Sequence, residues 1–355
     1  MDRLEQFDWE GVCSRWEAWH RGEFSGPVFH VSVVPPDGSA IKPHSYLSQY
    51  DFSIPAERIL DEIEMYLEQC VYVGESYPSV WLNFGPGVLA AMVGGEGHNG
   101  EETVWFTPGR WGGKTPGEIH PRLDRNSPWF RRVEEFLLAA RGRNGRFHVG
   151  CTDLGGTLDV VSSLIPGEEL LYALYDCPEE IKRIAGEVHE AWFEAFDYFS
   201  GILPENHGFS AWDGTLSARP FYMLQCDFCY MISPEMFGEF VLPELRRSCR
   251  KLERCFYHLD GKGELPHLQQ ILSIKELDGV QWVYGAGGGS LLDWVDVYRQ
   301  IADAGRKIWI SPGGNFREAA QLIEEIGRPE LFMIRDSVPA GREGELRDFI
   351  ASFRK

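Results

Sequence analysis

The chain has 355 residues, 43% of them hydrophobic and 25% charged, a balance that supports a large packed core and excludes disordered or fibrous architectures. Its 34 Lys and Arg stand against 54 Asp and Glu, and the resulting formal charge of -20 repels phosphate backbones and anionic head groups, so neither nucleic acid nor a membrane surface is expected as a partner. The opening segment MDRLEQFDWEGVCSRWEAWHRGEF is charged throughout and lacks the apolar stretch of a secretory signal, while the longest aliphatic run, VLAAMV at 88–93, is too short to span a bilayer; a cytoplasmic protein is expected. Eight cysteines are too sparse for a disulfide scaffold and are expected as reduced thiols.

In chain order, a helical extension over about 1–25 leads into eight short β-rich runs: 28–33, 79–84, 146–151, 208–212, 254–258, 279–283, 307–311 and 331–335. Several are apolar on both faces, as parallel strands covered by helices are. Helical patterns stand between them, over 55–70, 178–199 and 234–253 for example; Ser233 and Pro234 supply an N-cap and a first-turn proline, and Pro243 is expected to divide the last of these helices. Eight strands alternating with helices predict a single-domain α/β fold, a (β/α)8 TIM barrel over 1–355 in preference to an eight-stranded doubly wound sheet, which the count alone also allows. One stretch departs from the alternation: residues 94–129, rich in Gly, Pro and Trp, predict an inserted loop on the face where strands end. That loop is either a lid carrying Trp105, Trp111 and Trp129 or a structural loop that the same tryptophans anchor.

In a barrel the strand ends converge on one mouth, and here they carry Asn83, Cys151, Asp153, Trp212, Asp213, His258, Asp260, Gln281, Trp282, Ser311, Arg335 and Asp336. Within FYHLDG (256–261), His258 and Asp260 share one face of a strand, and Gly261 allows a sharp exit. The pair reads either as two ligands of zinc or another divalent cation, or as a histidine acid-base with Asp260 fixing its tautomer. A strand-end histidine bonded to an aspartate is also ordinary structure. Cys226 and Cys229 form a CxxC two ligands short of a closed zinc site, and they read first as packing cysteines. Between them Asp227, among Tyr222, Phe228 and Tyr230, is a second acid whose desolvation would raise its pKa. A third metal ligand would come from Asp336, Cys226 or Cys229. The glycine-rich segments at 84–95 and 284–289 match neither a Walker lysine motif nor a dinucleotide fingerprint, and no GxSxG or HExxH is present.

The segments FGPGVLAAMVGG (84–95), DLGGTLDVVSSLIPGEELLYALYDCPEEI (153–181), MISPEMFGEFVLPEL (231–245) and FYHLDG together resemble the uroporphyrinogen decarboxylase-like superfamily, which includes corrinoid-linked methyltransferases. The resemblance implies a barrel with a deep central cleft and often a homodimer. Where the decarboxylases carry an arginine-rich N-terminal segment, this chain has FHVSVVPPDG (29–38), and Asn83 stands where they carry a catalytic aspartate after the second strand. The methyltransferase branch is similar in another respect: His258 matches the histidine of its zinc-binding HxC motif, with Asp260 in place of the cysteine and Arg335 and Asp336 in place of a later thiol.

The sequence therefore reads as an enzyme acting on a small polar molecule by methyl or one-carbon transfer. Catalysis falls to His258, Asp260 and Asp227, and substrate contacts to Asn83, Trp212, Tyr222, Gln225, Gln281 and Trp282. A corrinoid would be carried by a separate protein, since no DxHxxG-type segment is present. The alternatives are a uroporphyrinogen decarboxylase-type lyase and a non-catalytic barrel whose aromatic mouth holds a small ligand.

Overall fold

The computed structural model describes residues 3–36, 42–143 and 145–354, so the last two residues of FHVSVVPPDG lie outside it. In chain order its strands are β1 Val28–Val34, β2 Val71–Gly74, β3 Ser79–Trp81, β4 Glu96–Asn99, β5 Val104–Thr107, β6 His148–Gly150, β7 Phe221–Leu224, β8 Arg254–Asp260, β9 Gly279–Val283, β10 Lys307–Ile310 and β11 Phe332–Pro339. A seven-stranded sheet runs in the order β2-β1-β11-β10-β9-β8-β7, parallel except for the antiparallel β1–β2 edge. β3 and β6 form a separate parallel pair, and β4 and β5 an antiparallel hairpin. The fold is mixed α/β, and among the described residues no ladder joins β3 to β1 or β6 to β7.

Parallel neighbours need long crossovers, and the helices that supply them bury one stripe each. Helix Pro178–Ile202 turns Ile181, Ile184, Val188, Trp192, Phe196 and Phe199 inward at spacings of three and four residues. Helix Phe316–Ile326 starts where the Asn315 side chain accepts from the Glu318 amide and stops at Gly327, whose φ of 69° is the left-handed turn that glycine adopts without strain. Pro243 divides its stretch as the sequence predicts, into Pro234–Phe240 and Leu242–Lys251, with Ser233 accepting from the Met236 amide.

The N-terminal segment is a structural cover rather than an appendage. Helix Trp9–His20, capped by Asp8 accepting from the Gly11 amide at 2.9 Å, lies over the starts of the parallel strands. Trp16 and Trp19 are both 0% exposed; their indole N–H groups donate to Glu75 O at 2.9 Å and Glu330 O at 2.8 Å. Glu17 pairs with Arg254 at the first residue of β8, and Lys307 at the first residue of β10 donates to His20 O. Glu75, itself wholly buried, accepts from the Phe29 amide and pairs with Arg15 and Arg354, tying this helix, β1 and the chain's last helix together.

Two expectations are corrected. Residues 208–212 form no strand: a single antiparallel bridge, Phe209 to Ser217, closes a hairpin loop, with positive φ at His207, Gly208 and Gly214. The strand beside β8 is instead β7, Phe221–Leu224, all four residues buried. The segment 94–129 is not one irregular loop, because β4 and β5 pair within it. Its tryptophans divide between the two readings: Trp111 donates to Val93 O at 3.0 Å, and Trp129 packs edge-on to Phe52 and Phe106, whereas Trp105 stays 45% exposed.

Candidate functional site

β8 and β9 run side by side with His258 opposite Gln281 and Asp260 opposite Val283. Because side chains alternate along a strand, His258 and Asp260 share a face, and adjacent register sets Gln281 beside His258. The contact is direct: His258 Nδ1 and Gln281 Oε1 are 2.5 Å apart. With the Gln281 amide oxygen as acceptor, Nδ1 is the protonated nitrogen and Nε2 turns its lone pair the other way, with Asp260 Oδ2 at 3.9 Å. The indole of Trp212 packs edge-to-face on the imidazole, ring centres 5.8 Å apart, and fixes its plane from the side. After Asp260 the chain leaves sharply at Gly261, φ 79°, as the sequence predicts.

Asp227 reaches the same spot from β7. It opens the short 3-10 turn Asp227–Met231, whose backbone is pinned from below: Asp159 accepts from the Phe228 amide at 2.8 Å, and His267 Nε2 lies 2.9 Å from Cys229 O. Cys226 and Cys229, 1% and 0% exposed, are buried on either side of Asp227 and hold the turn that presents it. One donor atom each from Asp227, His258 and Asp260 lies within 4.8 Å of the others, and among the described residues this is the one such group. Asp227 keeps an edge in solvent, yet the surrounding protein desolvates its carboxyl and pushes the pKa up; nearby His258 opposes that rise and Asp260 adds to it.

The third donor beside His258 and Asp260 is thus Asp227, and the three residues expected in that place lie elsewhere. Asp336 gives one oxygen to the Gly314 amide at 2.6 Å and the other to the Ser337 amide at 2.8 Å. Cys226 and Cys229 form part of the core. Of the expected substrate contacts, Gln281 and Trp212 touch His258. Trp282 does not: one residue along from Gln281, it faces the other side of the sheet and packs on Trp294, ring centres 5.2 Å apart. Tyr222 is wholly buried, its hydroxyl accepting from the Leu154 amide beside Asp153, and Gln225 is buried against Gly156. Asn83 bridges Ser45 O and the Gly85 amide and so shapes the turn after β3.

Two features were absent from the sequence reading. Glu264, wholly buried under the turn, has both carboxyl oxygens unpartnered among the described residues; burial, reinforced by the charges of Cys229 and Asp227, pushes it up to about 11, so it stands as a neutral acid. Nothing in DGKGELP marks it as buried. The second is the hairpin that carries Trp212: Tyr77 donates to Gly214 O at 2.9 Å, Trp309 to Asp213 O at 3.1 Å and Arg335 to Trp212 O, which together hold the loop across the strand ends. A cluster of aromatic and charged residues on converging strands was the available signal.

No family model matches the chain, and no curated protein matches it by sequence. Its fold is similar to that of a solved methyltransferase from Methanosarcina mazei, with a TM-score of 0.61 over 97% of this chain and 98% of that one, at 14% identity. The likeness extends end to end and is one of fold. Among the described residues no helix is long and apolar enough to cross a membrane.

Proposed function

We propose that the chain is a one-domain (β/α)8-barrel enzyme of the uroporphyrinogen decarboxylase-like kind that transfers a methyl or similar one-carbon group to a small polar acceptor. The observation that carries this reading is the convergence of Asp227, His258 and Asp260 at strand ends, with Gln281 fixing the imidazole. The likeness to a methyltransferase supports it at the level of fold. One imidazole nitrogen and two carboxylates within 4.8 Å suit zinc or a similar divalent ion held by three protein ligands with a position left open. Such an ion supplies Lewis acidity, which lowers the pKa of a bound thiol or hydroxyl acceptor.

The chain's own residues do the rest. Gln281 holds the Nδ1 proton, so Nε2 cannot turn away from the acceptor's place. Trp212 walls one side of the imidazole and excludes water there. A corrinoid on a separate protein would supply the methyl group as a cation equivalent and keep the bonding electron pair, while Asp227, His258 and Asp260 would hold the ion beside the acceptor's deprotonated heteroatom.

The test is methyl transfer from methylcobalamin to a panel of thiols, followed by the loss of the cobalt–carbon absorbance. Turnover that a chelator abolishes and added zinc restores is expected. Absence of turnover with every thiol, alongside tight binding of a small ligand, would favour a non-catalytic barrel instead.

A further inference from the structure

A cleft of about 370 Å³ opens between the ends of β1, β10 and β11, lined by none of the three donors. Its polar side is built by His30 and Ser32 from β1, Ser311 beyond β10, and Arg335 and Ser337 from β11, while Val34, Leu67 and Trp309 add apolar surface. Arg335 is the one cation among these, and a guanidinium in a protein does not lose its proton. It is partly buried and donates to the Trp212 carbonyl; among the described residues it has no other hydrogen bond and no carboxylate within ion-pair distance. Asp336, at the same cleft, already has both oxygens on backbone amides. Asp213, on the hairpin behind, turns one oxygen to Thr215, and burial, eased by Thr215 and Arg335, pushes its carboxyl up to about 6.

Arg335 thus spends one donor on a neutral carbonyl and feels the buried Asp213 carboxylate from beyond ion-pair distance, so its remaining guanidinium donors are left for an arriving anion. Gly214 runs past at φ 76°, and a Cβ there would stand 3.1 Å from His30 Nε2 and 3.4 Å from Arg335 Nε. His30 is buried with Nδ1 unpartnered, and burial, with Arg335 and His148 nearby, holds its pKa well below the ordinary histidine value, so it stands neutral.

We infer that this cleft binds the carboxylate end of a small molecule, with the Arg335 fork on the two oxygens and the hydroxyls of Ser32, Ser311 and Ser337 around them. A planar two-oxygen anion matches the fork. A dianion matches less well, because one positive charge faces it in a chain of formal charge -20. The inference rests on the proposed function only in taking the carboxylate as part of that reaction's substrate; binding itself is independent of Asp227, His258 and Asp260.

Ligand-observed NMR on the full chain with acetate, propionate and succinate, each against its amide, tests it. At least one carboxylate is expected to bind with a Kd on the order of 1 mM and its amide not to bind. Arg335→Met should weaken this at least about tenfold and Arg335→Lys less, because lysine keeps the charge and loses the fork. Ser311→Phe, which fills the cleft from its exposed rim and leaves Arg335 in place, should abolish binding even if Arg335→Met folds poorly. Asp260→Asn should bind carboxylates as the wild type does. Equal binding of carboxylate and amide, no binding of any carboxylate, wild-type affinity in both Arg335→Met and Ser311→Phe, or loss in Asp260→Asn would each overturn the inference. Failure of methyl transfer with carboxylate binding intact would count against the proposed function alone.

Discussion

Under the proposed function, His258→Ala is expected to lower methyl transfer by at least about 10³-fold, the equivalent of about 4 kcal/mol at the transition state, and to abolish divalent-cation binding. The reasoning is geometric. His258 is the single nitrogen donor of the cluster, and its removal leaves two carboxylates with no fixed partner between them. Stability should change little, since the ring meets solvent at 16% of its side-chain surface and packs mainly against the edge of Trp212. Gln281→Ala supplies the contrast: the ligand stays and its orientation is lost, so metal affinity should fall by about 10- to 100-fold with the donors intact. Turnover and metal content measured on both variants, with circular dichroism to confirm folding, check the account. Wild-type turnover in His258→Ala would place the chemistry elsewhere.

Trp16→Ala is expected to destabilise the protein by about 3–5 kcal/mol, a large share of the stability of a typical domain. Trp16 is 0% exposed, lies 5.7 Å from Trp19 between ring centres, and donates to the carbonyl of buried Glu75. Truncation therefore leaves a cavity and an unpaired carbonyl together. Urea unfolding followed by far-UV circular dichroism measures it; a loss below about 1 kcal/mol would mean that the N-terminal helix does not close the strand starts as described.

The α/β alternation was legible because hydrophobic runs and helical stripes are set locally, and β8, β9 and β10 begin where their apolar runs begin. GFSAW at 208–212 misled because aromatic residues in a short run look like a strand, while the positive φ at His207 and Gly208 bends them into a hairpin. FYML at 221–224 was passed over because a four-residue run buried on both faces cannot be told from a buried helix segment by periodicity. At the site, His258 and Asp260 were legible from their spacing on one strand. Asp227 was legible as a candidate acid, but its meeting with them depends on β7 pairing with β8, a contact that the intervening helices hide from any local pattern. Trp282 lies apart from His258 because nearness to a strand end does not say which face a side chain takes, and alternation turns it toward Trp294.

The most direct measurement is elemental analysis of the full chain purified without an affinity tag, beside Asp227→Asn prepared in the same way. The account predicts close to one equivalent of zinc or another divalent ion per wild-type chain, and clearly less in Asp227→Asn, because the carboxylate that completes the three-donor cluster is neutralised. A wild type that arrives metal-free and gains no thermal stability from added zinc, manganese or cobalt would contradict it, leaving His258, Gln281 and Asp260 as a metal-independent acid-base group.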